Sequence, residues 1–231
     1  MIRAVIFDMY ETLITHYRCP RYFGADMVAD AGVPAEPFLR VWHETEELRS
    51  IGNMTLEKAL KRALMAGGKR GVACDTMVSQ IVEKRMAIKR MCFDHLHEEI
   101  LPMLQGLRVR GIRVGLISNC FSEEAQAIRE SVLFPYFDGV CLSWEEGVQK
   151  PDAAIFERCA ARLGCRADEC LYVGDGGSHE LEAAQAFGMD ARQAVWYLQP
   201  GSGQPVGRLI DFPALEMPID VLTLVDEANK K

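Results

Sequence analysis

The sequence predicts an α/β protein, a doubly wound, Rossmann-like parallel sheet with an all-helical cap inserted into it. Short apolar runs recur along the chain, each followed by a polar or glycine-rich turn and then a helical pattern, and that alternation builds parallel sheets. The runs are continuously apolar rather than alternating, as suits strands buried on both faces. Between the first two runs, residues 15–91 carry helix signals and no strand signal.

In chain order, AVIF (Ala4 to Phe7) is the first strand. A short helix is expected before Gly32. Phe38, Val41, Trp42, Leu48 and Ile51 then form one stripe ending at Gly52. Thr55 caps a helix through Leu56, Leu60 and Leu64 that stops at Gly67 and Gly68, and Asp75 caps another with Val78, Ile81 and Val82 inward. An insertion of this length is no simple loop, so it should fold over the carboxyl end of the sheet, where open parallel sheets form their ligand crevice.

The core resumes with VGLI (Val114 to Ile117) and a helix capped by Ser122, with Glu123 and Glu124 in its first turn and Ala125, Ile128 and Val132 on one face. GVCL (Gly139 to Leu142) follows, then a helix opened by Pro151, lined by Ile155, Phe156, Cys159 and Leu163 and ended by Gly164. CLYV (Cys170 to Val173) and AVWY (Ala194 to Tyr197) complete five strands, with room for a sixth. A turn-rich stretch (Gly201, Gly203, Pro205, Gly207) precedes a closing helix at Leu222 to Val225. The expected division is a catalytic core of residues 1–14 and 92–231 and a cap of residues 15–91.

Composition narrows the function. With 231 residues, 49% of them hydrophobic, the chain can bury a core without disulfides or structural metal. Its 26 Lys+Arg against 33 Asp+Glu give a net charge of -7, which repels polyanions and argues against nucleic acid as a partner. No run approaches the ~18 apolar residues of a membrane span, and the amino terminus has no signal-peptide pattern, so a cytoplasmic protein without membrane partners is expected. The eight cysteines form neither a C-x-x-C pair nor a zinc-like grid and read as reduced, buried thiols.

The chemistry gathers at strand ends. Asp8 follows the first strand, Ser118-Asn119 ends the second, Lys150-Pro151 follows the third, and Gly174-Asp175-Gly176-Gly177 ends the fourth. One sheet edge thus receives two carboxylates, a hydroxyl with an amide, and an ammonium. Two carboxylates in one crevice repel unless a cation lies between them, and oxygen ligands suit Mg²⁺. An ionised aspartate beside such a cation is a plausible nucleophile for phosphoryl transfer.

These motifs resemble, in order, those of the haloacid dehalogenase-like hydrolase superfamily: Asp8-Met9-Tyr10-Glu11-Thr12, Leu116-Ile117-Ser118-Asn119, Gly147 to Phe156, and Gly174 to Ala184. The resemblance spans nearly the whole chain and implies that the insertion is the family's helical cap. It implies Asp8 as nucleophile, Ser118 and Lys150 as catalytic partners, and Thr12, Ser118, Asn119 and Lys150 around the phosphate. It further implies Asp8, the Tyr10 carbonyl and Asp175 around Mg²⁺, with Glu180 as an outer acid; a solvated first-turn glutamate is the alternative for Glu180.

Tyr10 departs from the phosphatase pattern, which has a second aspartate there to protonate the leaving oxygen. Haloacid dehalogenases are similar to this chain at that position, but they resemble it less elsewhere. They carry serine and asparagine in place of the Asp175 motif, an arginine where His43 follows Trp42, and a tyrosine at the position of Phe156. The expected function is therefore a Mg²⁺-dependent phosphatase of a small phosphorylated metabolite that favours good leaving groups. A 2-haloacid dehalogenase and a catalytically weakened binding protein are the alternatives. Glu11 is a substitute acid or base only if it turns into the site. Trp42 reads as cap core, His16, His43 and Arg40 as surface residues, and Cys120 as a thiol without a catalytic partner.

Overall fold

A computed structural model describes residues 1–199 and 204–230, so Gly201 and Gly203 of the turn-rich stretch lie outside the described residues. Six parallel strands form one sheet: β1 (Ala4–Phe7), β2 (Arg113–Ser118), β3 (Gly139–Leu142), β4 (Cys170–Gly174), β5 (Asp190–Ala194) and β6 (Ala214–Leu215). Their order is β3-β2-β1-β4-β5-β6. The chain winds outward from β1 to one side, returns, and winds to the other, which opens a crevice at the carboxyl ends of β1 and β4.

Side chains alternate along each strand, and the two faces build separate cores. Val5 and Phe7 face a cluster with Ile100, Leu104, Ile128 and Val221, whereas Ala4 and Ile6 face Ile155, Phe156, Cys159 and Leu181. The first layer belongs to α6 (Ile100–Val109), α7 (Ser122–Glu130) and α11 (Asp220–Asn229). The second belongs to α9 (Ala153–Leu163) and α10 (Glu180–Phe187), with the short α8 (Ser143–Glu146) following β3. Burial on both faces explains why β1 and β4 read as unbroken apolar runs.

Five helices lie between β1 and α6: α1 (Gly24–Ala31), α2 (Ala35–Glu44), α3 (Glu46–Ser50), α4 (Leu56–Ala66) and α5 (Gly71–Met91). They close around their own apolar cluster of Met27, Phe38, Trp42, Leu60, Leu64 and Ile81 among others. Thr55 caps α4 by accepting from the Lys58 N–H.

Four local expectations are corrected. The stripe from Phe38 to Ile51 is two helices, because the Thr45 hydroxyl bonds back to the carbonyls of Val41 and Trp42 and ends α2; Leu48 is exposed. Asp75 lies inside α5, which starts at Gly71. Phe121, not Ser122, caps α7, its N–H held by the Glu124 carboxylate at 2.9 Å, and the helix ends at Glu130, leaving Val132 exposed. The fifth strand is Asp190–Ala194, because pairing with β4 from Leu171 to Gly174 fixes its register before the more apolar AVWY begins.

Candidate active site

Asp8 and Asp175 come directly off the ends of β1 and β4, and Lys150 lies beyond the short α8 that follows β3. The Asp8 N–H bonds the Val173 carbonyl at 2.9 Å, continuing the β1–β4 ladder by one step, so the carboxylate sits where the sheet stops. Lys150 is held from behind by Asn119, whose amide donates to the Lys150 carbonyl at 2.9 Å and accepts from its N–H at 2.8 Å. The Gly177 N–H donates to Asp175 at 2.9 Å and the Gly176 N–H to Glu180 at 3.1 Å, so the loop after β4 orients both acids.

Lys150 is the hub. Its ammonium lies 2.5 Å from Asp8 Oδ1, contacts Glu180 Oε2, and is 3.3 Å from the Tyr172 hydroxyl, which itself donates to Glu180 at 2.8 Å. Asp8 is 6%, Lys150 4% and Glu180 0% exposed. Glu180 is therefore no solvated first-turn residue. Gly174 explains how it fits, since a Cβ there would meet the Glu180 carboxylate, with Cδ at 2.6 Å.

One oxygen from each of Asp8, Asp175 and Glu180 lies within 4.8 Å of the other two. Burial, then the Glu180 charge, push the Asp8 carboxyl well above its usual range, and Lys150 only partly counters them. Burial and Glu180 likewise raise Asp175 to about 7. For Lys150, burial pulls downward, but Asp8 and Glu180 outweigh it and keep the ammonium charged. Asp8 and Glu180 thus share one ammonium with Asp175 close beside them, and three carboxylates against one ammonium leave the cluster short of positive charge. A hard divalent cation fits that deficit and this oxygen donor set.

The sign of the pH dependence follows. A carboxyl raised from 3.8 to about 7 favours the fold while protonated, and that contribution is lost as pH rises through about 7. A cation takes the ionised form, so stabilisation by added Mg²⁺ should be small near pH 5.5 and grow to a plateau above about pH 8. Thermal unfolding with and without Mg²⁺ at both pH values checks this; an equal shift at both would contradict it.

The carboxylates open into a cleft of about 490 Å³, also lined by Tyr10, Glu11, His16, Tyr17, Arg21 and Phe23. Ser118 and Thr12 are fully buried, and neither hydroxyl has a hydrogen-bond partner among the described residues. The Asn119 side chain is committed to the Lys150 main chain, which makes it a positioning group for Lys150. The Tyr10 hydroxyl is buried without a partner, and its acidic neighbours are Glu124 and Glu123 rather than Asp8 or Asp175; burial, then Glu124, raise it well above the ordinary phenol range.

Sequence reasoning missed Tyr172, read His16 as a surface residue, and left Glu11 conditional on its orientation. Tyr172 looked like strand core. His16 is no bare surface residue: it stacks on Tyr10 with ring centroids 4.3 Å apart and lies 2.9 Å from the Lys89 ammonium through Nε2. Glu11 does turn into the cleft, because it takes a left-handed backbone (φ 61°) and its carboxylate accepts from the Thr15 hydroxyl and, at 3.0 Å, from the His16 N–H. Cap and core also meet through buried ion pairs of α5 with the first turn of α7, Arg85–Glu123 and Lys89–Glu124, both at 2.6 Å. Trp42 is cap core, His43 and Arg40 are exposed, and Cys120 is buried, its thiol raised by burial and by Glu124.

The profile of the haloacid dehalogenase-like hydrolases matches residues 2–188. The chain belongs to this family. It is 30% identical over 202 residues to a glyceraldehyde 3-phosphate phosphatase of Methanopyrus kandleri, covering 82% of each chain. Its fold is similar to that of a 2-haloacid dehalogenase from Pseudomonas syringae, with a TM-score of 0.75 at 21% identity over 99% of this chain and 100% of the other. It is also similar to a family enzyme of Bacteroides thetaiotaomicron solved with magnesium and inorganic phosphate, at TM-score 0.61 and 18% identity over 84% of this chain and 94% of that one. As a haloacid dehalogenase-like hydrolase, the protein carries the family's α/β sheet, and no helix among the described residues is long and apolar enough to cross a membrane.

Proposed function

We propose that this hydrolase is a Mg²⁺-dependent phosphatase of a small phosphorylated metabolite, acting through Asp8. The observation that carries the reading is the convergence of the Asp8, Asp175 and Glu180 carboxylates around one ammonium that pairs only with Asp8 and Glu180, a cluster short of positive charge until a cation joins it. Haloalkanoate hydrolysis calls for no such acidic group. Phosphatase names among the relatives support the same choice.

Asp8, Asp175 and Glu180 would hold the cation, which when bound would neutralise the carboxylates and draw phosphate oxygens toward them. Lys150 favours the ionised form of Asp8 and aims it through a 2.5 Å contact, and the cation would supply the remaining positive charge. The unpartnered hydroxyls of Ser118 and Thr12 are suited to receive phosphate oxygens as neutral donors. An Asp8 oxygen bonds to phosphorus as the ester P–O bond breaks, and the leaving oxygen takes up a proton. Water then hydrolyses the aspartyl phosphate, freeing phosphate and Asp8.

The proton for the leaving oxygen is the weak point, because Tyr10 is neutral, buried and far less acidic than a free phenol. Glu11 is also poorly suited: burial pushes its carboxyl up, but bonds from His16 and Thr15 more than offset this and hold it below its usual range. Lost acid catalysis costs ~10²–10⁴ in rate, so esters whose leaving groups need no proton suffer least. Aryl and acyl phosphates are expected to turn over at least about 10²-fold faster than alkyl phosphates. The test measures Mg²⁺-dependent phosphate release across a series of leaving-group pKa values, and chloride release from 2-chloropropionate without metal. Equal rates across the series would remove the leaving-group claim; metal-free chloride release without phosphate release would establish a dehalogenase instead.

A further inference from the structure

We infer that Arg21 is a specificity residue that binds a carboxylate of the substrate at the end of the cleft opposite the reacting phosphate, so the natural substrates are phosphomonoesters of small carboxylic acids. The inference rests on the phosphatase reading. Among the described residues the cleft has three cationic or potentially cationic side chains, His16, Arg21 and Lys150. Lys150 is saturated by Asp8, Glu180 and Tyr172. His16 has both ring nitrogens engaged, Nδ1 facing Glu11 at 3.3 Å and Nε2 facing Lys89 at 2.9 Å. Arg21 forms no ion pair with a carboxylate of the described residues, although this chain commits most of its arginines to such pairs.

The surroundings suit a ligand. Arg21 is exposed and lies in the segment that leads into the cap, facing the same cleft as Asp8 and Asp175. Two residues on, Phe23 leaves 54% of its surface exposed while lining that cleft, an apolar wall for the carbon skeleton between two charged ends. The guanidinium fork matches a carboxylate with two parallel hydrogen bonds. Charge decides between a carboxylate and a second phosphate. Arg21 brings a single positive charge, which one carboxylate balances, whereas a group near −2 would leave an uncompensated negative charge in a cleft already lined by Asp8, Glu11, Asp175 and Glu180.

The test compares wild type and Arg21→Gln, each with Mg²⁺, on 2-phosphoglycolate against ethyl phosphate and on the O-phosphate ester of 3-hydroxypropionate against propyl phosphate. The carboxylate also changes leaving-group acidity, so the readout is the change in the kcat/KM ratio within each pair between the two proteins. Arg21→Gln is expected to lower the ratio at least about tenfold for the pair whose length spans the cleft, through KM rather than kcat. Arg21→Lys, which keeps charge without the fork, should retain part of the preference. Ratios unchanged in Arg21→Gln for both pairs would overturn the inference while leaving the phosphatase reading intact. Release from 4-nitrophenyl phosphate but from none of the four esters would overturn the inference alone; no Mg²⁺-dependent release from 4-nitrophenyl phosphate either would overturn the phosphatase reading and this inference with it.

Discussion

Asp8→Asn is expected to abolish phosphate release, lowering kcat by at least about 10⁴-fold, while the protein stays folded. An amide has no anionic oxygen with which to attack phosphorus, and no other carboxylate stands at the end of β1. The fold survives because the charged form of Asp8 is the costly one. Its carboxyl is raised above the unfolded value by burial and Glu180, so the fold gains from a protonated Asp8 at low pH and loses that gain as pH rises. Asparagine is uncharged at every pH, and Glu180 remains to pair Lys150. Thermal unfolding near pH 8 should therefore show no drop in Tm, while phosphate release falls to background. A variant that keeps more than a few per cent of wild-type turnover would rule out Asp8 as nucleophile.

Lys150→Met is expected to damage stability and activity together. Removing one partner of a buried ion pair costs about 3–5 kcal/mol, because the partner left behind keeps its desolvation penalty without compensation. Here two buried carboxylates, Asp8 and Glu180, lose the same ammonium. Methionine nearly matches the lysine stem in volume, so the loss reports charge rather than a cavity. The direction with pH is fixed: the orphaned carboxylates can protonate in acid, so destabilisation should be smaller near pH 5 than near pH 8. Mg²⁺ should restore part of the stability by supplying positive charge. Activity should fall at least about 10³-fold, since Asp8 loses the contact that aims it and favours its ionised form. Chemical denaturation at the two pH values, with and without Mg²⁺, measures the effect. A loss independent of both pH and metal would mean that Lys150 contributes packing alone.

The sheet was the most legible part. AVIF, GVCL and CLYV are strands at or within a residue of their expected bounds, because burial on both faces demands apolar side chains at every position. β5 escaped that logic. DARQA is polar in three of its five residues and becomes a strand through pairing with β4, which no pattern within the segment announces. Helix bounds in the cap erred for a similar reason: the turn at Thr45 depends on a hydroxyl returning to its own helix, and the start of α5 at Gly71 on an uncapped Arg70.

At the site, sequence order pointed to the residue types, since Asp8 and Asp175 directly follow strands and Lys150 lies in the connection after β3, and parallel strands deliver their ends to one edge. The partnerships were hidden. Asn119 could be read as a phosphate ligand until its amide was seen bonded twice to Lys150, and Glu180 as a surface residue until it was found beneath Tyr172.

The sequence by itself determined the α/β class, the helical insertion after the first strand, and which chemical groups gather at the sheet edge, because apolar periodicity and strand ends are local properties of the chain. Only the tertiary structure decided which carboxylates share one ammonium, that the Tyr10 hydroxyl lies buried near Glu124, and that Glu11, His16 and Arg21 border the same cleft as Asp8. Those outcomes depend on through-space electrostatics between distant segments, Asp8 and Lys150 being 142 positions apart, and on a left-handed backbone at a single glutamate. Neither leaves a periodic trace in sequence.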